Sequence, residues 1–198
     1  MTSQLRFLRR MLVNFRTLGA VSPSSRFLAR AMCRQINWTD TRTILEVGPG
    51  TGIFTVEILR RMPDGARLIL LEKDPVLYQG LKSEFPQVTV LNGDVRDLDT
   101  ILNTMGINQL DAVISGLPIL LFPKDVTRHF AAAVHQRLSE NGEFVQFTYR
   151  ARKFKKITRD IFESVTIKKY VLLNLPPAFV LKLTTQPDLA AVPTANLS

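Results

Sequence analysis

Residues 46–52 read Glu-Val-Gly-Pro-Gly-Thr-Gly, a carboxylate two positions ahead of three glycines spaced at every second residue. Glycine turns where other residues are strained, and without a side chain it lets a ligand lie on bare main chain. The spacing is G-x-G-x-G, which differs from the G-x-G-x-x-G that grips a dinucleotide pyrophosphate. Twenty residues after Gly52, the apolar run Leu68–Leu71 ends in Glu72. A carboxylate only accepts hydrogen bonds, so it suits a vicinal diol, whose hydroxyls can both donate. A third run, Val88–Leu91, ends in Asn92-Gly93-Asp94-Val95, where the aspartate can accept from an amino group. A fourth, Leu110–Ile114, ends in Ser115-Gly116-Leu117-Pro118.

These groups need strands to carry them to one edge. Ile44–Val47 reads as a strand breaking into the glycine turn, and Ile53–Leu59 reads as the helix that follows. From residue 43 onward strands alternate with helical patterns, which predicts a doubly wound sheet with its ligand crevice at the carboxyl ends of the strands. Residues 124–138 read as a helix and Glu140–Glu143 as a turn. Phe144–Tyr149 reads as a fifth strand and 151–163 as a basic helix. Segments 165–172 and 178–184 are expected to form a closing strand pair. Ser22 can cap a helix starting at Pro23, so Ser24 and Ser25 either lie near the ligand or serve only the helix start.

At 198 residues with 45% hydrophobic composition, the chain suits one core. The expected organisation is a basic amphipathic helix over 1–22, a catalytic domain over 23–185 and a disordered tail over 186–198. One cysteine, Cys33, and two histidines, His129 and His135, are too few for a zinc site. No metal is expected. The longest apolar stretches are too short to cross a bilayer, and a cytoplasmic location is expected, peripherally associated with the inner face of the membrane.

The net charge of +9 is unevenly spread. Residues 1–39 carry seven arginines and no acid, and residues 150–169 carry eight bases against Asp160 and Glu163. Such asymmetry points to a polyanionic surface, either lipid or nucleic acid. In the first segment Leu5, Leu8, Leu12 and Phe15 recur at helical spacing, with Arg6, Arg9, Arg10 and Arg16 around them. This helix either packs on the domain or lies in a membrane interface, where anionic lipid attracts each base by about 1 kcal/mol.

The E-x-G-x-G-x-G run resembles motif I of class I S-adenosylmethionine (SAM) methyltransferases. The resemblance implies a Rossmann-like, mostly parallel sheet with its last strand antiparallel, and SAM as cofactor. It also implies a cofactor site of Glu46, Gly48, Gly50, Thr51, Gly52, Glu72, Lys73, Asp94, Val95 and Ser115. Glu46 would act through turn amides or water, Glu72 on the ribose, and Asp94 with the Val95 amide on the adenine. Taken together, residues 19–25, 45–52, 115–118, Gln146–Tyr149 and 174–178 resemble the bacterial phospholipid N-methyltransferases, which convert phosphatidylethanolamine stepwise towards phosphatidylcholine. That likeness implies a phospholipid amine as acceptor. Tyr149 would orient the amine, unless it merely packs, and Gly116, Leu117 and Pro118 would line the acceptor site. Arg150 and Arg152 would bind lipid phosphate, unless they are only a solvated face.

The competing resemblance is to the ribosomal RNA adenine dimethylases. Their post-strand-four motif resembles Asn-Leu-Pro-Tyr or Asn-Pro-Pro-Phe, with a ring that stacks on a flipped adenine. Here Ser115–Ile119 has neither the asparagine nor the ring, and Asn174–Pro177 mimics the motif in the wrong place. Removing residues 1–18 is expected to weaken binding to anionic vesicles and leave cofactor binding intact; unchanged co-sedimentation would rule out a membrane helix there.

Overall fold

The computed structural model describes residues 23–174 and 176–187. The basic helix expected over 1–22, with Arg6, Arg9, Arg10 and Arg16, lies outside them, as does the tail beyond Pro187. Helix α1 (Pro23–Cys33) leads into β1 (Thr43–Val47), α2 (Ile53–Leu59), β2 (Arg67–Glu72), α3 (Pro75–Glu84) and β3 (Thr89–Asn92). Then come a 3-10 turn (Val95–Asp97), α4 (Leu98–Thr104), β4 (Leu110–Ser115), α5 (Lys124–Arg137) and β5 (Leu138–Thr148). Helix α6 (Ala151–Thr158) and strands β6 (Ser164–Val171) and β7 (Ala178–Thr184) follow. The strands form one seven-stranded sheet in the order β3-β2-β1-β4-β5-β7-β6. Strands β1 to β5 run parallel, whereas β7 lies antiparallel between β5 and β6. The expected fold is the observed one.

Because side chains alternate across a strand, each strand feeds two cores. On one face Leu28, Met32 and Cys33 of α1, Ile58 of α2 and Leu81 of α3 pack on Ile44, Leu70, Ile114 and Val145. On the other, Leu98 and Leu102 of α4, Phe130 and Val134 of α5 and Phe154 of α6 pack on Leu45, Ile69, Val113 and Phe144. Helix α3 starts on a side-chain cap. Asp74 accepts from the Val76 and Leu77 amides at 2.9 and 3.0 Å, with Pro75 as the first residue of α3.

Two boundaries differ from expectation for local reasons. Strand β5 begins at Leu138 because Leu138 pairs with Leu110, and pairing then jumps to Glu143 opposite Ala112. The expected turn is therefore looped out inside the strand. A methyl group on Gly142 would meet the Ser139 nitrogen at 2.9 Å, so the loop closes only on glycine. Helix α6 ends at Thr158, five residues earlier than expected. The Arg128 guanidinium takes the Ile157 carbonyl at 2.9 Å and clamps Asp160 with two bonds of 2.9 and 2.8 Å. The chain then turns to bury Phe162.

The edge of the sheet away from the glycine turn is pinned by two acids. Asp111 accepts from the Arg42 and Thr43 amides and the Ser139 hydroxyl, each at 2.9 Å. Glu143 accepts from the Asn37 amide at 2.6 Å and pairs with Lys182. Burial alone would raise the Asp111 carboxyl, but its donors outweigh burial and hold it below the usual carboxylate range. A depressed carboxyl stabilises the fold above its unfolded pKa, and that contribution fades as pH falls through the folded one. Asp111→Ala is expected to cost about 2 kcal/mol in urea unfolding at pH 7. The difference from wild type should shrink towards pH 3, with cofactor affinity unchanged.

Candidate active site

Strand order reverses between β1 and β4, and in open α/β sheets that switch point is where a ligand crevice forms. The loops leaving these two strands are built against each other. Gly116 donates its amide to the Val47 carbonyl at 2.8 Å, and a methyl on Gly116 would meet the Gly48 carbonyl oxygen at 2.5 Å. Leu117 in turn lies over Gly48, where any side chain would collide with it. Gly48, Gly50 and Gly52 have φ of 66°, 61° and 78°, a region closed in practice to other residues in so tight a turn. Beyond Gly50 nothing lies within 4 Å of where a Cβ would project, so this part of the loop faces open space.

The three glycine amides have internal partners. Gly48 donates to the Leu71 carbonyl at 2.9 Å, Gly52 to the Pro49 carbonyl at 3.0 Å, and Gly50 to the Glu72 carboxylate at 3.1 Å. The glycines thus open the crevice by what they lack. Glu72 is buried, and its other oxygen accepts from the Asp74 amide at 2.9 Å. Each carboxylate oxygen has two lone pairs, so each keeps capacity for a ligand hydroxyl. Thr51 and Lys73 are exposed at the rim.

Glu46 departs from expectation. None of the glycine amides reaches it; one oxygen accepts from the Thr55 hydroxyl on α2 at 2.7 Å, and the other is buried with no partner. Burial above all, with the Glu72 charge adding to it against the Thr55 bond, pushes the Glu46 carboxyl up to about 8. Asp94 lies at the opposite extreme. Its Oδ2 meets Lys73 Nζ and Arg96 Nη2, each at 2.7 Å, and its Oδ1 caps the Arg96 amide at 3.0 Å. Those cations hold its carboxyl far below the usual range. Neighbouring Val95 is buried.

On the β4 side the expected lining residues divide. Ser115 is fully buried and accepts from the Leu117 amide at 3.3 Å, so its hydroxyl serves its own turn. Gly116, Leu117 and Pro118 are half-buried, and Ile119 is turned into the core. The residue that holds this loop had not been assigned a role from sequence. Gln146 on β5 donates to the Leu117 carbonyl at 2.9 Å and the Phe147 carbonyl at 2.7 Å, while its own oxygen is buried and unpartnered. Beyond its place in the Gln146–Tyr149 segment, its sequence signal is one amide inside the apolar run Phe144–Phe147.

Tyr149 sits at the end of β5, 36% exposed. Its ring meets Phe147 edge-on at 5.7 Å, and Phe147 meets Phe54 of α2 at 6.4 Å, giving a row of rings from the glycine turn to Tyr149. Burial raises the Tyr149 phenol, opposed by a hydrogen bond with the Asn174 side chain, so it is neutral near pH 7. Asn174, which opens the segment 174–178, is therefore part of this corner. Arg150 and Arg152 are exposed beside it. His129 and His135 lie elsewhere, against the Arg96 carbonyl at 3.2 Å and Glu163 at 3.4 Å.

A glycine-lined crevice at the switch point, with one buried acid beneath it and another beside it, defines a class I SAM-dependent methyltransferase. The chain belongs to the family described as ribosomal RNA adenine dimethylase, which matches residues 24–191. It is 37% identical over 175 residues to the ornithine lipid N-methyltransferase of Singulisphaera acidiphila, covering 87% of this chain and 91% of that protein. The ribosomal RNA small subunit methyltransferase A of Chlorobium phaeobacteroides is 35% identical over 82 residues, 41% of this chain and only 29% of its own length. A TehB-like SAM-dependent methyltransferase from Corynebacterium glutamicum shares the fold, with a TM-score of 0.62 at 16% identity over 92% of this chain and 98% of that one.

SAM is the cofactor, and the crevice fits it: open space beyond Gly50, spare lone pairs on Glu72 and an unpartnered buried oxygen on Glu46. Among the described residues no cluster of three metal-ligating side chains occurs, and no helix is long and apolar enough to cross a membrane.

The Glu46 carboxyl binds its proton more tightly folded than unfolded. Its ionisation therefore favours unfolding between about 4.5 and about 8, and stability falls with rising pH across that window. Glu46→Gln is expected to remove this slope, so the variant gains on wild type between pH 5 and pH 8 in urea melts without ligand. Parallel pH profiles would mean that Glu46 is ionised throughout.

Proposed function

We propose that this protein methylates the primary amine of a lipid head group at a membrane surface, with phosphatidylethanolamine and its partly methylated forms as acceptors on the way to phosphatidylcholine. The carrying observation is the segment after β4. Where an adenine-modifying enzyme needs a ring to stack on its base, Ile119 is buried in the core and Ser115 is closed into its own turn. The near full-length similarity to a lipid N-methyltransferase supports the same reading, and it makes an ornithine lipid the second acceptor to test.

SAM supplies an activated methyl group on a positively charged sulfur, so the protein mainly has to align an acceptor nitrogen with it. Glu72 would hold the ribose hydroxyls, with Thr51 and Lys73 at the rim, and Asp94 with the Val95 amide would read the adenine. Glu46 would serve the methionine end, for which Gly48, Gly50 and Gly52 would leave room. Ser115 shapes the wall on which Gly116, Leu117 and Pro118 meet the acceptor.

The acceptor arrives as an ammonium with a reference pKa of ~10.4 and must lose a proton first. The apolar corner of Phe54, Phe147 and Tyr149 disfavours its charged form, so that the proton passes to water. Tyr149, as a neutral phenol, accepts from the amine and presents its ring to methylated head groups. Arg150 and Arg152 hold the lipid phosphate.

Labelled SAM offered in parallel to phosphatidylethanolamine vesicles, ornithine-lipid vesicles and unmodified small-subunit ribosomal RNA decides among these acceptors. Label is expected in the phosphatidylethanolamine extract. Label confined to ornithine lipid would replace the acceptor and keep the class, and label in RNA would overturn the reading.

A further inference from the structure

Seven large hydrophobic residues are exposed among the described residues, and four of them, Tyr149, Tyr170, Leu172 and Leu173, occupy one corner of the sheet. Single exposed apolar residues are ordinary, whereas a cluster signals an apolar partner. Leu172 and Leu173 are 69% and 64% exposed, at the turn joining β6 to β7. That turn is inverted relative to an ordinary surface turn. Its polar residue, Asn174, is buried, donating to the Pro176 carbonyl at 2.7 Å and bonded to Tyr149, and the leucines are left in water.

The topology fixes where this turn stands. Thr148, at the end of β5, pairs with Phe179, and Ala178 pairs with Val171, so the turn rises from the carboxyl edge of the sheet beside the crevice. Tyr170 stacks on Phe179 at 4.6 Å and extends the apolar surface below the tip.

The charges nearby say what the partner is. Arg150, Arg152, Lys153 and Lys156 are exposed on and just before α6, which packs against β6. Residues 149–177 contain only two acids, Asp160 and Glu163. Both lie past the far end of α6, and Asp160 is held by Arg128. Leucines flanked by unopposed bases match a bilayer, which is apolar inside and anionic at its surface.

We propose that the β6–β7 turn is a membrane-docking element, with Leu172 and Leu173 inserting among the lipids of an anionic bilayer and the α6 bases meeting their head groups. The proposal rests on the lipid-acceptor reading and adds a second contact, separate from residues 1–22. It orients the crevice so that a head-group amine reaches Tyr149 without the lipid leaving the membrane.

The test uses the full chain and its Leu172→Ser/Leu173→Ser variant. Co-sedimentation with vesicles of phosphatidylglycerol and phosphatidylethanolamine should weaken by about tenfold or more, the scale expected from losing two buried leucines. Melting temperature and SAM binding should hold, because both leucines face solvent. A Leu173→Cys chain labelled with an environment-sensitive dye should shift to the blue on those vesicles and not with an acidic protein; Cys33 is buried and does not compete. Unchanged sedimentation overturns the proposal, as does a dye that stays unshifted. A drop in melting temperature with unchanged sedimentation also overturns it, since the leucines would then be covered by protein. Methylation of the same lipid in detergent micelles separates the two ideas. A wild-type chain inactive there loses the acceptor assignment, while the sedimentation contrast still decides the docking turn.

Discussion

The backbone of Gly116 lies against the carbonyl of Gly48, and that contact sets the spacing of the two loops at the switch point. It joins the loop after β1 to the loop after β4 at the one place where the sheet changes direction. A side chain at either position would push the loops apart and widen the crevice where an in-line transfer needs it tightest. The contact is held from outside by Gln146, whose amide hydrogens all face carbonyls. This also settles the orientation of the amide, because its oxygen could not sit against the same carbonyls. The fold thus relays position across three adjacent parallel strands, β1, β4 and β5.

Charge is sorted on the same plan. The chain as a whole is strongly basic, yet three carboxyl groups, Glu46, Glu72 and Asp94, stand at the crevice, with Asp94 paired to Lys73 and Arg96. SAM carries a positive sulfur beside a zwitterionic amino-acid end, so carboxyl groups held inside a basic protein favour the cofactor. Glu46 marks the extreme of this design. It is buried with one oxygen unpaired, an arrangement that costs stability and becomes favourable only when a cation comes near.

Most of the framework was legible in the sequence because it rests on local chemistry. The glycine turn, the acids ending β2 and β3, and the alternating elements each announce themselves within a few residues. What escaped depends on distant partners. Helix α6 stops early where Arg128, some thirty residues back, takes the Ile157 carbonyl, and β5 starts early because Leu110 offers Leu138 a pairing partner. Glu46 was expected to act through turn amides or water; the amides satisfy themselves elsewhere, and Thr55 takes one of its oxygens. Gln146 and Asn174 were visible only as polar letters inside motifs, since their roles are set by which carbonyl or phenol the folded chain brings to them.

The chain is similar to enzymes named for ribosomal RNA and to one named for lipid, and charge alone does not tell the acceptors apart. Phosphates of either kind attract the same arginines. The discriminating chemistry is apolar. RNA recognition combines bases with aromatic platforms that stack on unpaired nucleobases, and flexible leucine side chains make poor platforms. An acyl interface, by contrast, rewards any aliphatic side chain that leaves water. Here the row Phe54, Phe147 and Tyr149 runs from the cofactor crevice out to its rim, and the most exposed side chains beyond it are Leu172 and Leu173, beside the Tyr170 ring. An aliphatic tip of that kind supports the proposed acceptor, whose small polar head would enter the site while its bulk stays in the membrane.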